Sequence, residues 1–83
     1  MLKCFKCQKK IESAIKEMNA WEAALNAVVF RGGSSYGSQV YDSMADGIIA
    51  EIVICDDCLE KNEKLIRNIR IEAGVDKIVE VKK

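Results

Sequence analysis

Cys55-Asp56-Asp57-Cys58-Leu59 stands where a strand pattern gives way to a helix pattern, and the reading of the whole chain turns on it. Ahead of it, Ile48-Ile49-Ala50-Glu51-Ile52-Val53-Ile54 is almost wholly apolar and rich in β-branched residues, the composition of a buried strand. Behind it, Glu60-Lys61-Asn62-Glu63-Lys64-Leu65-Ile66-Arg67 is built of helix formers. Asp57 and Glu60 have the spacing of a capping box, and Asp56 and Asp57 suit the positive end of the helix dipole. A cysteine just before the helix and another in its first turn can point at one atom. Cys4-Phe5-Lys6-Cys7 repeats the same spacing. Together Cys4, Cys7, Cys55 and Cys58 supply the four thiolates that one tetrahedral structural Zn²⁺ requires.

With 83 residues the chain is expected to form one domain, 1–83, whose core is too small to hold without such a staple. No apolar run approaches the roughly 20 residues of a bilayer span, so no membrane role is expected. Met1-Leu2-Lys3 leads directly into the first cysteine pair, so no signal peptide is expected. A cytoplasmic, reducing location is therefore expected, and there paired cysteines favour metal over disulfide. In an exported chain, two local disulfides or cross-links are the alternative.

Charge is balanced in total but not in place. Residues 1–16 carry Lys3, Lys6, Lys9, Lys10 and Lys16 against Glu12 alone. Residues 17–60 hold eight acids against Arg31, and the C-terminal stretch is basic again. Four thiolates around Zn²⁺ make the loaded protein about two units more negative than this count. Such a balance suits phosphate contacts poorly, although a small basic face remains open. The lysines around the first pair are expected either to favour thiolates or to be plain solvated side chains.

In chain order, Met1 to Cys7 reads as a short strand and tight turn, with Phe5 beneath the metal loop. Ile11, Ala14, Ile15 and Met18 recur at helical spacing, which predicts an inserted N-terminal helix near residues 10–25. Trp21 reads as a core anchor. Residues 26–31 read as a strand joined to 39–42 by Gly32-Gly33-Ser34-Ser35-Tyr36-Gly37-Ser38, a plain hairpin by default. The functional alternative places an anion or partner carboxylate on Arg31, Gly32, Gly33, Ser34, Ser35 and Tyr36. No P-loop lysine accompanies them, so nucleotide hydrolysis is unsupported. Asp46-Gly47 is a turn signal ahead of strand 48–54. The C-terminal helix is expected to turn Leu59, Leu65, Ile66 and Ile69 inward. Lys61, Lys64, Arg67 and Arg70 then form a basic outer stripe, laced by the pairs Glu60–Lys64 and Glu63–Arg67. Gly74 reads as its C-cap, and Val75 to Lys83 as a terminal strand.

The order of knuckle, inserted helix, β-hairpin and ligand-bearing helix resembles a treble-clef zinc finger, which implies a small α+β zinc-binding domain. Tyr36, Gly37, Ser38, Tyr41, Asp42, Cys55, Asp56, Cys58 and Leu59 resemble a group of small phage and bacterial proteins. Those share Tyr-Gly-Ser-x-x-Phe-Asp before Cys-Asp-x-Cys-Leu, with Tyr41 standing here for their phenylalanine. The resemblance implies a zinc module of phage or mobile-element origin, and no established activity.

The chain has no histidine, which removes the commonest general base and the usual ligand of an open zinc site. No nucleophile accompanies the scattered carboxylates, so no enzyme is expected. The leading expectation is a non-catalytic module that docks on a host protein and inhibits it, for instance a defence factor. Nucleic-acid binding through Lys61, Lys64, Arg67 and Arg70 is one alternative. Small-ligand capture by the Gly-Ser-Tyr loop is another, and thiol–disulfide exchange is disfavoured by the lack of a βαβ pattern. Apolar residues outnumber what two short helices can cover, so a twofold homodimer is also expected.

Overall fold

The structure is a computed structural model that describes residues 2–33, 38–42, 47–74 and 77–83. Among the described residues, two antiparallel strand pairs, one short α-helix and a 3₁₀ turn make up the regular structure. β1 (Ala27–Gly32) pairs with β2 (Ala50–Cys55), and α1 (Asp56–Lys61) starts at the residue where β2 ends. A 3₁₀ turn, Glu63–Leu65, leads into β3 (Ile69–Glu72), which pairs with β4 (Lys77–Glu80). The architecture is small and α+β, as expected, but with far less helix.

Register decides which side of each pair meets what. In β1–β2, Ala27 faces Cys55, Val29 faces Val53 and Arg31 faces Glu51. Val53 and Cys55 on that side are buried, and Ala27 and Val29 pack against them. Val28 opposite Ile54 and Phe30 opposite Ile52 share the other face, where Val28 and Phe30 remain 42% and 43% exposed. Strand β2 is thus apolar on both sides, as its sequence requires, but only one side is well covered.

The first hairpin is built around the cysteine pair. Gln8 N–H donates to the Cys4 carbonyl and Cys4 N–H to the Lys9 carbonyl, while Gln8 takes φ 65° to reverse the chain. The pairing runs on to Ile11, whose N–H donates to Leu2. This extension consumes the start of the expected N-terminal helix. Residues 11–25 form turns closed by Ala14 N–H to the Ala23 carbonyl and Leu25 N–H to the Glu12 carbonyl, with no helix among them. Ser13 Oγ accepts from Ile15 N–H, and Asn19 Oδ1 from Glu22 N–H. Such side-chain bonds offer the backbone a local alternative to the helix ladder. Ile11 is drawn into the knuckle, while Ile15, Met18 and Trp21 stay exposed, so beyond Ile11 the stripe is unpacked among the described residues, and short helices without packing are marginal in water. Trp21 is not a core anchor.

Three further expectations are corrected. Residues 39–41 are not the partner of β1: Ser38 Oγ accepts from Val40 and Tyr41 N–H in a local turn, and β2 takes the pairing instead. No side-chain capping box forms, because Cys55 is the N-cap residue of α1. The C-terminal helix stops at Asn62, whose backbone and side-chain N–H groups both return to the Cys58 carbonyl. Beyond it Ile69-Arg70-Ile71-Glu72 alternates at strand period, and Arg67 pairs with Glu80 at 3.4 Å rather than with Glu63. Leu65 is 84% exposed, Ile69 46% and Ile66 39%, so of the four residues expected inward only Leu59 is half-buried. Gly74 does take a left-handed φ of 88°, in the β3–β4 turn rather than at a helix end. The terminal strand is present as β4.

Candidate metal centre

Among the described residues the buried core consists of Cys4, Ile11, Val53, Cys55 and Cys58. Three of these five are cysteines, so the centre of the fold and the thiol cluster are the same object. The first hairpin presents Cys4 and Cys7, and the β2–α1 junction presents Cys55 and Cys58. Phe5 N–H donates to the Val53 carbonyl at 2.7 Å and Asp56 N–H to the Asn26 carbonyl at 2.9 Å, which lock the two halves together. Phe5 itself is 70% exposed and does not lie beneath the loop.

The four sulfur atoms lie within 4.8 Å of one another. Cys4 Sγ is 3.9 Å from Cys58 Sγ, and Cys7 Sγ is 3.7 Å from Cys55 Sγ. A regular tetrahedron with metal–sulfur bonds of about 2.3 Å has edges of about 3.8 Å. The cluster therefore already has the dimensions of a four-thiolate site able to hold a metal ion such as zinc. No protein-family model, curated protein or solved structure matches this chain.

Electrostatics separate the ligands. Burial works to raise the Cys4 thiol, but backbone hydrogen bonds from Cys55, Cys7 and Lys6 outweigh it and hold the group at about 6. The donor from Cys55 is visible as its N–H, 3.4 Å from Cys4 Sγ. Burial, then hydrogen bonds with Cys55, Cys7 and Cys4, push Cys58 up to about 12. Backbone amides, not the neighbouring lysines, thus stabilise the Cys4 thiolate. Lys9 instead pairs with Asp57 at 3.9 Å on the rim. Cys7 is the exposed member of the set.

The other candidate residues among the described ones are not gathered into a site. Arg31 is bound to Glu51 across β1–β2 at 3.0 Å, and Gly32 ends β1 with Gly33 following it. Ser34, Ser35 and Tyr36 lie outside the described residues. Lys61 ends α1, Lys64 sits in the 3₁₀ turn, Arg67 lies in the connection and Arg70 on β3, so the expected helical basic stripe does not exist. Val28 and Phe30, apolar residues of the strand that need cover, lie 42% and 43% exposed. Their alternation with Ala27 and Val29 was the available signal for this, since period two sends them to the face opposite the metal.

Proposed function

We propose that this chain is a zinc-stabilised, non-catalytic binding module of treble-clef type that docks on a protein. The supporting observation is the open apolar face of β1–β2 beside the metal centre. Exposed Val28 and Phe30 and half-buried Ile52 and Ile54 line that face, and it runs into a groove of about 290 Å³ walled by Phe5, Cys58, Leu59, Leu65 and Ile66. Exposed contiguous apolar surface rimmed by polar groups (here Lys6 and Asn62) is a feature of interaction surfaces, protein contacts among them. Four cysteine ligands close the coordination sphere, so a metal there supplies cohesion and no open position for a substrate. Zinc fits the thiolate set, and the treble-clef reading rests on a cysteine knuckle, a strand pair and a helix opening at the last ligands. The phage resemblance makes a host protein the natural target class, by analogy alone.

A photo-crosslinking benzophenone amino acid placed at position 30 tests the reading, with position 16 as control. Metal-loaded protein should give protein adducts from position 30 and few from position 16. Equal yields from both, or none from position 30, would overturn docking on this face.

A further inference from the structure

We propose that Cys7 is an oxidation site: a hydroperoxide oxidises its thiolate, and Cys55 resolves the product to a Cys7–Cys55 disulfide. That bond frees the metal and takes over its task of joining the two halves of the fold. The proposal goes beyond the docking reading and holds whatever the module docks on. Two observations carry it.

The first is access. Cys7 is the exposed member of the cluster, whereas Cys4 is 1%, Cys55 2% and Cys58 7% exposed. A small oxidant therefore meets the Cys7 sulfur ahead of the other three. Susceptibility follows exposure and thiolate character, and ligation to a metal keeps all four sulfurs deprotonated.

The second is a resolving thiol already in contact. Cys7 Sγ lies 3.7 Å from Cys55 Sγ, and Cys4 Sγ lies 3.9 Å from Cys58 Sγ. Both contacts cross between the halves, joining residues 48 and 54 positions apart. The pairs are nested, Cys4 with Cys58 outside Cys7 with Cys55, so one arrangement of the chain permits both. The bonds from Phe5 N–H to the Val53 carbonyl and from Asp56 N–H to the Asn26 carbonyl do not involve the sulfurs, and they hold the partners adjacent as the metal leaves. A polar cleft of about 290 Å³, walled by Lys9, Asn26, Asp56 and Asp57, opens on Cys55 and gives the departing hydroxide a path to solvent.

The chemistry balances with one peroxide for each disulfide. The Cys7 thiolate attacks the O–O bond, an S–O bond forms, hydroxide leaves, and Cys7 becomes a sulfenic acid. The Cys55 thiolate then attacks that sulfur, the S–S bond forms, and a second hydroxide leaves. Two thiolates have given up two electrons, and the peroxide has become two hydroxide ions. The two thiolates that remain do not complete a tetrahedral site, so the metal is released. A second peroxide acts in the same way on Cys4 and Cys58. A disulfide inside one Cys-x-x-Cys pair would leave the halves unlinked, whereas these bonds close long loops and restrict the unfolded chain as the metal did.

Zinc-loaded protein given one equivalent of hydrogen peroxide, with and without the sulfenic-acid trap dimedone, tests the proposal. A colorimetric chelator reads released zinc, and non-reducing peptide mapping reads the sulfurs. Trypsin cuts after Lys3 and Lys6, and a protease that cuts before aspartate separates Cys55 from Cys58, so each cysteine falls on its own peptide. Dimedone should label Cys7 at least about tenfold more than any other cysteine. Without it the first disulfide should be Cys7–Cys55, with one zinc ion released for each such bond. The oxidised, metal-free protein should keep the far-ultraviolet dichroism that chelation removes, and a dithiol with zinc should restore the loaded form. A first disulfide inside either Cys-x-x-Cys pair, or equal labelling of all four thiols, overturns the assignment of Cys7 and Cys55. Zinc release without a disulfide, or zinc retained with all four thiols intact, overturns the oxidation step. An oxidised chain as unfolded as the chelated one overturns the replacement of metal by disulfide. Mapping reads the pairing even in reduced protein that holds no zinc, so failure of the metal reading and failure of this proposal are separate results.

Discussion

The backbone N–H of Phe5 donates to the carbonyl of Val53 at 2.7 Å, bringing the first cysteine loop to the strand that delivers the second pair. Nothing apolar in the Phe5 side chain is needed for this contact. It forms where the thiols on either side converge, which makes the four-cysteine cluster the centre around which the chain folds.

Metal removal should therefore unfold the protein. Among the described residues the buried core adds Ile11 and Val53 to the cysteines, and burying two such side chains contributes roughly 3–6 kcal/mol. Ordering the backbone costs about 1–2 kcal/mol for every residue. Structural zinc contributes about 10–16 kcal/mol of apparent binding free energy in comparable peptides. Cys55→Ser, or chelation of the wild type, should abolish the cooperative thermal transition seen by circular dichroism. A Cys55→Ser protein that melts like wild type would contradict this.

Acid should release the metal before it affects other groups. The ligands bind as thiolates, so protons compete with the ion. In the metal-free chain Cys58, pushed up to about 12, holds its proton at neutral pH, whereas Cys4, at about 6, does not. Loading must expel the Cys58 proton, and affinity then falls as pH falls. Below about pH 6 Cys4 also takes up a proton, and the fall should steepen. Competition titration against a chelator, between pH 8 and 5 in steps, measures the slope.

Thiol modification should be ordered by exposure. Cys7 is exposed and the other three thiols are buried. With metal bound, a limiting alkylating agent should label Cys7 first, and mass mapping of the labelled peptides reads the order. Equal labelling of Cys4 and Cys7 would show that the first hairpin opens as a unit.

Ile11 and Ile15 should behave oppositely although both belong to the same apolar stripe. Ile11 is 5% exposed against the thiols and Ile15 is 48% exposed. Ile11→Ala should cost about 2–5 kcal/mol, and Ile15→Ala within about 0.5 kcal/mol of nothing. Urea denaturation of the metal-loaded variants measures both. Similar costs would mean that residues 11–25 pack as a helix after all.

The spacing Cys4-x-x-Cys7 and Cys55-x-x-Cys58, the β-branched run before Cys55 and the helix beginning at that cysteine could all be read without coordinates. Covalent spacing and local propensity determine them, since a ligand pair three residues apart must turn and a run such as Ile52-Val53-Ile54 favours extended backbone. The terminal strand was readable for the same reason. Tertiary structure alone decided the rest. Ile11, Ile15 and Met18 satisfy helical spacing, but a short helix forms only where its stripe finds a floor, and the knuckle had already taken Ile11. Ile66 and Ile69 fit a helix while Ile69 and Ile71 fit a strand, so the same residues supported two periods. The Asn62 bonds to Cys58 and the β4 partner selected the strand. Likewise β1 could have paired with any nearby extended segment. Cys55 must reach Cys4 and Cys7, and that long-range requirement brought β2, not residues 39–41, to its side.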